Sequence, residues 1–135
     1  TDGAISGNDL DMFLALRLAA TLHKATTGDA TAVSTGEAWR MATLAGAEAM
    51  GLGGVTGSLE VGKAADVVML DATRPHALPM FDPLTHLVFS ASKGDVRHLL
   101  IGGDWVVRDG ALRFDMGETL QGVRELTPAI RRAVA

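Results

Sequence analysis

At Gly51 the apolar residues of this 135-residue chain change their period, and the change limits the folds open to it. Upstream the spacing is helical. Leu10, Leu14, Leu18 and Leu22 recur every four residues with Phe13 beside them, which predicts one apolar stripe on a helix over residues 9–24. Asn8 or Asp9 is the expected N-cap. After a loop over 26–33, Ser34 and Glu37 have capping-box spacing, so a second helix is expected to run to about Met50 and stop at Gly51. Gly46 lies inside it and costs roughly 1 kcal/mol against alanine there, which predicts a close approach by another element. Downstream the pattern is extended. Residues 59–61, 65–71, 96–101 and 105–108 read as strands. Gly102 and Gly103 join the last two as a two-residue hairpin turn, since a type I′ turn needs positive φ at both positions. On a pleat of period two, Trp105 and Val107 are expected to share a face. Pro75, Pro79 and Pro83 mark irregular chain before a short helix over 83–91, and a final helix over 116–135 is expected against the opposition of Gly122 and Pro128.

Composition narrows the function classes. Hydrophobic residues are 47% and charged residues 21%, so a packed core is expected and disorder is not. The net charge of −4 argues against nucleic acid or an anionic membrane as partner, because phosphate binding needs a clustered basic surface. Arg124, Arg131 and Arg132, diluted by Glu118 and Glu125, read as a solvated helix face. Cysteine is absent, which excludes disulfides and thiolate metal sites and suits a cytoplasmic location. No apolar run approaches the ~20 residues of a membrane span. The chain opens on Thr1 instead of Met, with functional-looking residues at once, so processing or truncation is expected to have removed what came before.

No self-contained active site is legible. His23, His76, His86 and His98 form no H-x-H pair and no H-E-x-x-H helix, and each reads as a surface or structural histidine. No nucleophile elbow, phosphate loop or dinucleotide fingerprint occurs. Asp2 sits among small residues ahead of a helix; on spacing alone it is a turn or capping aspartate.

The blocks TDGAISGN, LDMFLALRLAATLHK, EAWRMATLAGAEAMGL, GSLEVGKAADVVMLD and VRHLLIGGDWVVRDG, in this order, resemble the amidohydrolase superfamily. The resemblance is to its methylthioadenosine and S-adenosylhomocysteine deaminases, with triazine chlorohydrolases and guanine-type deaminases nearby. It implies an α/β fold: the C-terminal end of a metal-dependent (β/α)₈ barrel (residues 1–55), part of a small β-sandwich (56–114) and a C-terminal helix (115–135). It implies that Asp2 follows the eighth barrel strand, touches the catalytic metal and takes a proton from its bound water, in keeping with catalysis at strand C-termini. One divalent metal, zinc by resemblance, would take its other ligands from outside this chain. Ser6 and Asn8 match the polar run after the aspartate and read as loop-shaping hydrogen bonders, with substrate contact the lesser reading. Gly62 and Asp66 look architectural, a tight turn and a carboxylate tying it down, and Lys63 in that turn is expected to be solvated.

The implied activity is hydrolytic deamination of a purine-like heterocycle or nucleoside, with a small heterocyclic substrate and the rest of the barrel as partners. A homo-oligomer is compatible with it. This piece alone is expected to be inactive. The runner-up is dechlorination or deamination of an s-triazine. From another class, the rival is a non-catalytic α+β interaction module, if the chain is complete.

Overall fold

The structure, a computed structural model, describes residues 1 and 3–133. A single helical turn, α1 (Ala4–Gly7), precedes the long helix α2 (Met12–Thr27), followed by α3 (Thr35–Ala42) and α4 (Leu44–Ala49). Strand β1 (Val67–Leu70) comes next, then a 3-10 turn (Pro75–Ala77), α5 (Pro83–Phe89) and a second 3-10 turn (Lys93–Asp95). Strands β2 (Val96–Ile101), β3 (Asp104–Arg108) and β4 (Ala111–Leu112) come after it, and α6 (Gly117–Ala133) closes the order.

The cap of α2 differs from the expected one. Asp11 is the cap, accepting the Phe13 amide at 2.9 Å and the Leu14 amide at 3.4 Å, while Asp9 points its charge elsewhere. Ser34 and Glu37 form the expected capping box on α3. The expected helix to Met50 is instead two helices. At Thr43 (φ −126°, ψ −104°) the backbone leaves helical geometry, and the Thr43 hydroxyl bonds back to the Trp39 carbonyl at 2.8 Å, a competition that bends helices. The close approach at Gly46 therefore comes from the chain's own preceding turn: a Cβ there would lie 2.8 Å from the Met41 carbonyl oxygen.

The core is small and helical. Leu16, Ala20, Ala38 and Val88 are buried where α2, α3 and α5 meet, with Val33, Trp39, Ala42 and Phe89 packed around them. Alanines at the contact let the helices approach closely. The Leu10–Leu14–Leu18–Leu22 stripe is not the buried face; all four leucines are exposed, and α2 is apolar on both sides. The accessible surface is 9514 Å², against about 6,700 Å² for a compact monomer of this mass. The packed core expected from composition is present but small, and much apolar surface lies outside it. Among the described residues no helix is long and apolar enough to cross a membrane.

Strands β1 to β4 form one antiparallel sheet in sequence order. Ile101 pairs with Asp104 around Gly102 (φ 59°) and Gly103 (φ 90°), the expected hairpin. Arg108 pairs with Ala111 around Asp109 (φ 56°) and Gly110 (φ 76°), a second two-residue turn that carries the Asp-Gly signal of such hairpins. A bulge steps the partner of β2 from Trp105 at Leu100 to Val107 at Leu99, leaving Val106 extra. The period of two is broken there. Trp105 is exposed, between the His98 ring and the Arg108 guanidinium, and Val107 is half-buried, so the shared environment expected for them is not found.

Residues 59–61 are not a strand. Gly57 (φ 92°) and Gly62 (φ 96°) turn the chain on either side, the Lys63 amide donates back to the Glu60 carbonyl, and the Val61 side chain is wholly exposed. Gly57 is the glycine that close packing demands: a Cβ on it would lie 2.8 Å from Ala47 Cβ and 2.9 Å from Leu44 Cα in α4. Helix α6 runs through Gly122 and Pro128, with Leu120, Val123, Leu126 and Ile130 all exposed.

Gly57→Ala is expected to lower unfolding stability by about 2–3 kcal/mol, combining overpacking with an unfavourable φ. Gly62→Ala, with open space around it, is expected to cost about 1 kcal/mol. Urea titration of both variants checks the pair; equal losses would place the constraint in the backbone alone.

Candidate functional site

The candidate catalytic aspartate, Asp2, lies outside the described residues. The chain after it is ordered by local rules. The Ser6 and Gly7 amides donate to the Gly3 carbonyl at 3.0 and 3.1 Å, closing α1. Asn8 (φ 54°) takes the left-handed conformation that asparagine tolerates better than other non-glycine residues. Ser6 and Asn8 are both exposed. Asp9 then accepts from Lys93 Nζ at 2.6 Å, across 84 residues of sequence. This bond holds the Asp9 carboxyl below its ordinary range and raises the Lys93 ammonium. On α2, Arg17 donates to the Ala91 carbonyl at 2.8 Å, a second tie from the N-terminal segment to the chain ahead of β2.

Asp95, close to Lys93, is the buried charged residue among the described residues, with 2% of its side chain exposed. Its carboxylate accepts the Ser92 amide (2.9 Å) and hydroxyl (3.0 Å), His76 Nε2 lies at 3.0 Å and Arg74 Nε at 3.8 Å. Burial pushes its pKa up, but the Ser92 and His76 hydrogen bonds outweigh that, and the net position is below the ordinary carboxylate value. Sequence reading misses this residue, although Ser92 and Asp95 have the spacing of a capping box.

Other polar residues resolve into architecture. Asp66 accepts from the Thr56 hydroxyl at 2.6 Å and the Gly102 amide at 2.7 Å, and these bonds lower its pKa. It thus ties down the β2–β3 turn, and not the Gly62 turn expected for it. Lys63 is not solvated: its side chain is 12% exposed and donates to Ser58 at 2.6 Å beside Glu60 at 3.1 Å. The His76 and His86 rings stack at 6.1 Å over a cleft of about 210 Å³ that includes Met80, Phe81, Asp82 and Thr85. Asp82 is committed to capping α5 through the Leu84 and Thr85 amides, and His76 to Asp95. His98 accepts the Asp109 amide at 3.2 Å, and His23 is exposed on α2. Among the described residues no three His, Cys, Asp or Glu side chains gather where they could hold a metal ion. A zinc ion takes at least three protein ligands, so the described residues do not by themselves fit one.

Residues 1–106 match the amidohydrolase family. The chain belongs to that family. Over 97% of its length this amidohydrolase chain is 42% identical to a 5-methylthioadenosine/S-adenosylhomocysteine deaminase of Syntrophobacter fumaroxidans, spanning 30% of that protein. It superposes on an adenosine deaminase of Xanthomonas campestris with bound zinc at a TM-score of 0.91 and 37% identity, covering 96% of this chain and 30% of the other. With a zinc-complexed atrazine chlorohydrolase of Arthrobacter aurescens the TM-score is 0.75 and the identity 25%, covering 84% and 26%.

For the amidohydrolase chain itself, Asp95→Asn is expected to cost about 1–2 kcal/mol at pH 7, since an amide nitrogen cannot accept from Ser92 or His76. Because the folded-state pKa of Asp95 is lowered, its contribution is fully present above about pH 4, the unfolded value, and is lost as pH falls through the folded value. Urea midpoints at pH 7 and pH 3 should show the gap between wild type and variant narrowing in acid. A gap that widens would contradict the assignment.

Proposed function

We propose that this chain is the C-terminal part of a hydrolytic deaminase acting on adenosine-type nucleosides. The observation that carries the reading is the likeness to named adenosine-type deaminases over nearly the whole chain, at 42% and 37% identity. The triazine reading is less well supported, at 25% over less of the chain. The exposed leucine stripe and the large surface favour a piece of a bigger protein over a free-standing interaction module, because a helix apolar on both faces belongs in an interior.

In this reading residues 1–55 belong to the end of a (β/α)₈ barrel, with α2's leucines against the remainder of it. Residues 56–114 contribute one sheet of a β-sandwich, and 115–135 a closing helix. That no strand residue of the sheet is buried supports a covering layer supplied from elsewhere. Asp2 carries the proton between the attacking water and the departing amine: water adds to the amino-bearing carbon, the amine nitrogen gains the proton, and ammonia leaves. Ser6 and Asn8 shape the loop after it. Zinc, with its other ligands drawn from the rest of the protein, completes the site, and a cytoplasmic location belongs to the same reading.

Asp2→Asn in the protein that includes the upstream segment is expected to lower kcat for an adenosine-type substrate by at least ~10²-fold with little change in KM. A merely structural Asp2 would instead lower the melting temperature and leave kcat near wild type, so kinetics and a thermal melt together decide. The 135-residue chain by itself is expected to bind zinc weakly and to release no ammonia from adenosine. Stoichiometric, tight zinc binding in a calorimetric titration would overturn the placement of the other ligands outside it.

A further inference from the structure

We propose that Lys93 is a positioning residue for the loop that carries Asp2; the inference rests on the function proposed for that aspartate. Its basis is the route of the chain. Residues 8–10 have no helical or strand hydrogen bonding of their own, lying between the turn α1 and the Asp11 cap of α2. A side-chain bond reaches this stretch from far along the chain, that of Lys93 to Asp9 at 2.6 Å. The other end of the bond is rigid for a separate reason. Lys93 opens the 3-10 turn Lys93–Asp95, and that turn is fixed by the buried Asp95 carboxylate and its Ser92 capping box. Asp95 is further joined to the sheet through its carbonyl, which accepts the Asp71 amide at 2.8 Å. A loop with no ladder of its own is thus moored to the turn that the buried Asp95 carboxylate holds. Asp11 adds a second negative charge facing the same ammonium.

The pair is partly solvated, with 63% of the Lys93 and 38% of the Asp9 side chain exposed, so its effect is modest and screened by salt. A catalytic group is sensitive to modest displacement, because reaction demands a narrow range of distance and angle. Sequence reading does not find the pair, since nothing local relates residues 84 positions apart.

The test has two readouts. In the protein that includes the upstream segment, hydrogen exchange at the Ser6 and Gly7 amides reports the order of the loop. At about 0.01 M ionic strength Lys93→Ala is expected to speed it about three- to fivefold, with Lys93→Arg close to wild type. Asp9→Asn should match Lys93→Ala, and the double variant should be no faster than either single one. In the protein that includes the upstream segment, Lys93→Ala is expected to lower kcat about threefold or more at nearly constant KM. Wild type at about 1 M salt should approach the variant. Unchanged exchange in Lys93→Ala overturns the tether. Faster exchange with wild-type kcat overturns its catalytic consequence. An Asp2→Asn enzyme with wild-type kcat would sink the role of Asp2 itself, and the exchange data would still decide the tether.

Discussion

A carboxylate taken out of water must be met by donors, and Asp95 is where this fold meets that demand. Its partners come from two places in the sequence: Ser92 at the head of its own turn, and the stretch after β1, where His76 meets it and Arg74 stands at longer range while also meeting Asp71 at 3.5 Å. Satisfying one group therefore fixes the start of β2, the exit from β1 and the irregular chain between them. The proline-marked stretch, which has little secondary structure of its own, owes its path to this junction. The neighbouring residues Ala91 and Lys93 receive the ties from Arg17 and Asp9, so the helical segment is registered on the same point.

The apolar forces are weaker than the composition suggests. A 47% hydrophobic chain yields a core centred on Leu16, Ala20, Ala38 and Val88, because much of its apolar surface faces outward on α2, α6 and the sheet. The chain spans 30% of the length of the related deaminases, and its exposed apolar faces are consistent with that partial span.

Signals complete within a few residues are legible in the sequence. The Ser34–Glu37 box, the Gly102-Gly103 turn and the helix beginning at Pro83 each depend on neighbours in sequence, and each is present. Features settled by tertiary contacts are not legible. The seating of Gly57 against α4 and the step in register at Val106 depend on residues elsewhere in the chain, while the break at Thr43 and the exposed loop over residues 59–61 set one local preference against another. Asp66 reads as architectural, but its partner across the sheet cannot be guessed from its own turn. The candidate site is legible only by resemblance. Spacing makes Asp2 an ordinary turn residue, and the described part of the chain contributes no cluster of metal ligands to argue from.

The two consecutive two-residue turns have a kinetic meaning. Strands β2, β3 and β4 can close as soon as their own residues are available, on the roughly microsecond scale of hairpins. Strand β1 ends at Leu70 and its partner begins at Val96, so that pairing must first close a loop containing α5 and the Asp95 junction. The sheet is thus expected to grow backwards along the sequence, with the three-stranded ribbon as its seed and β1 the last strand to be added.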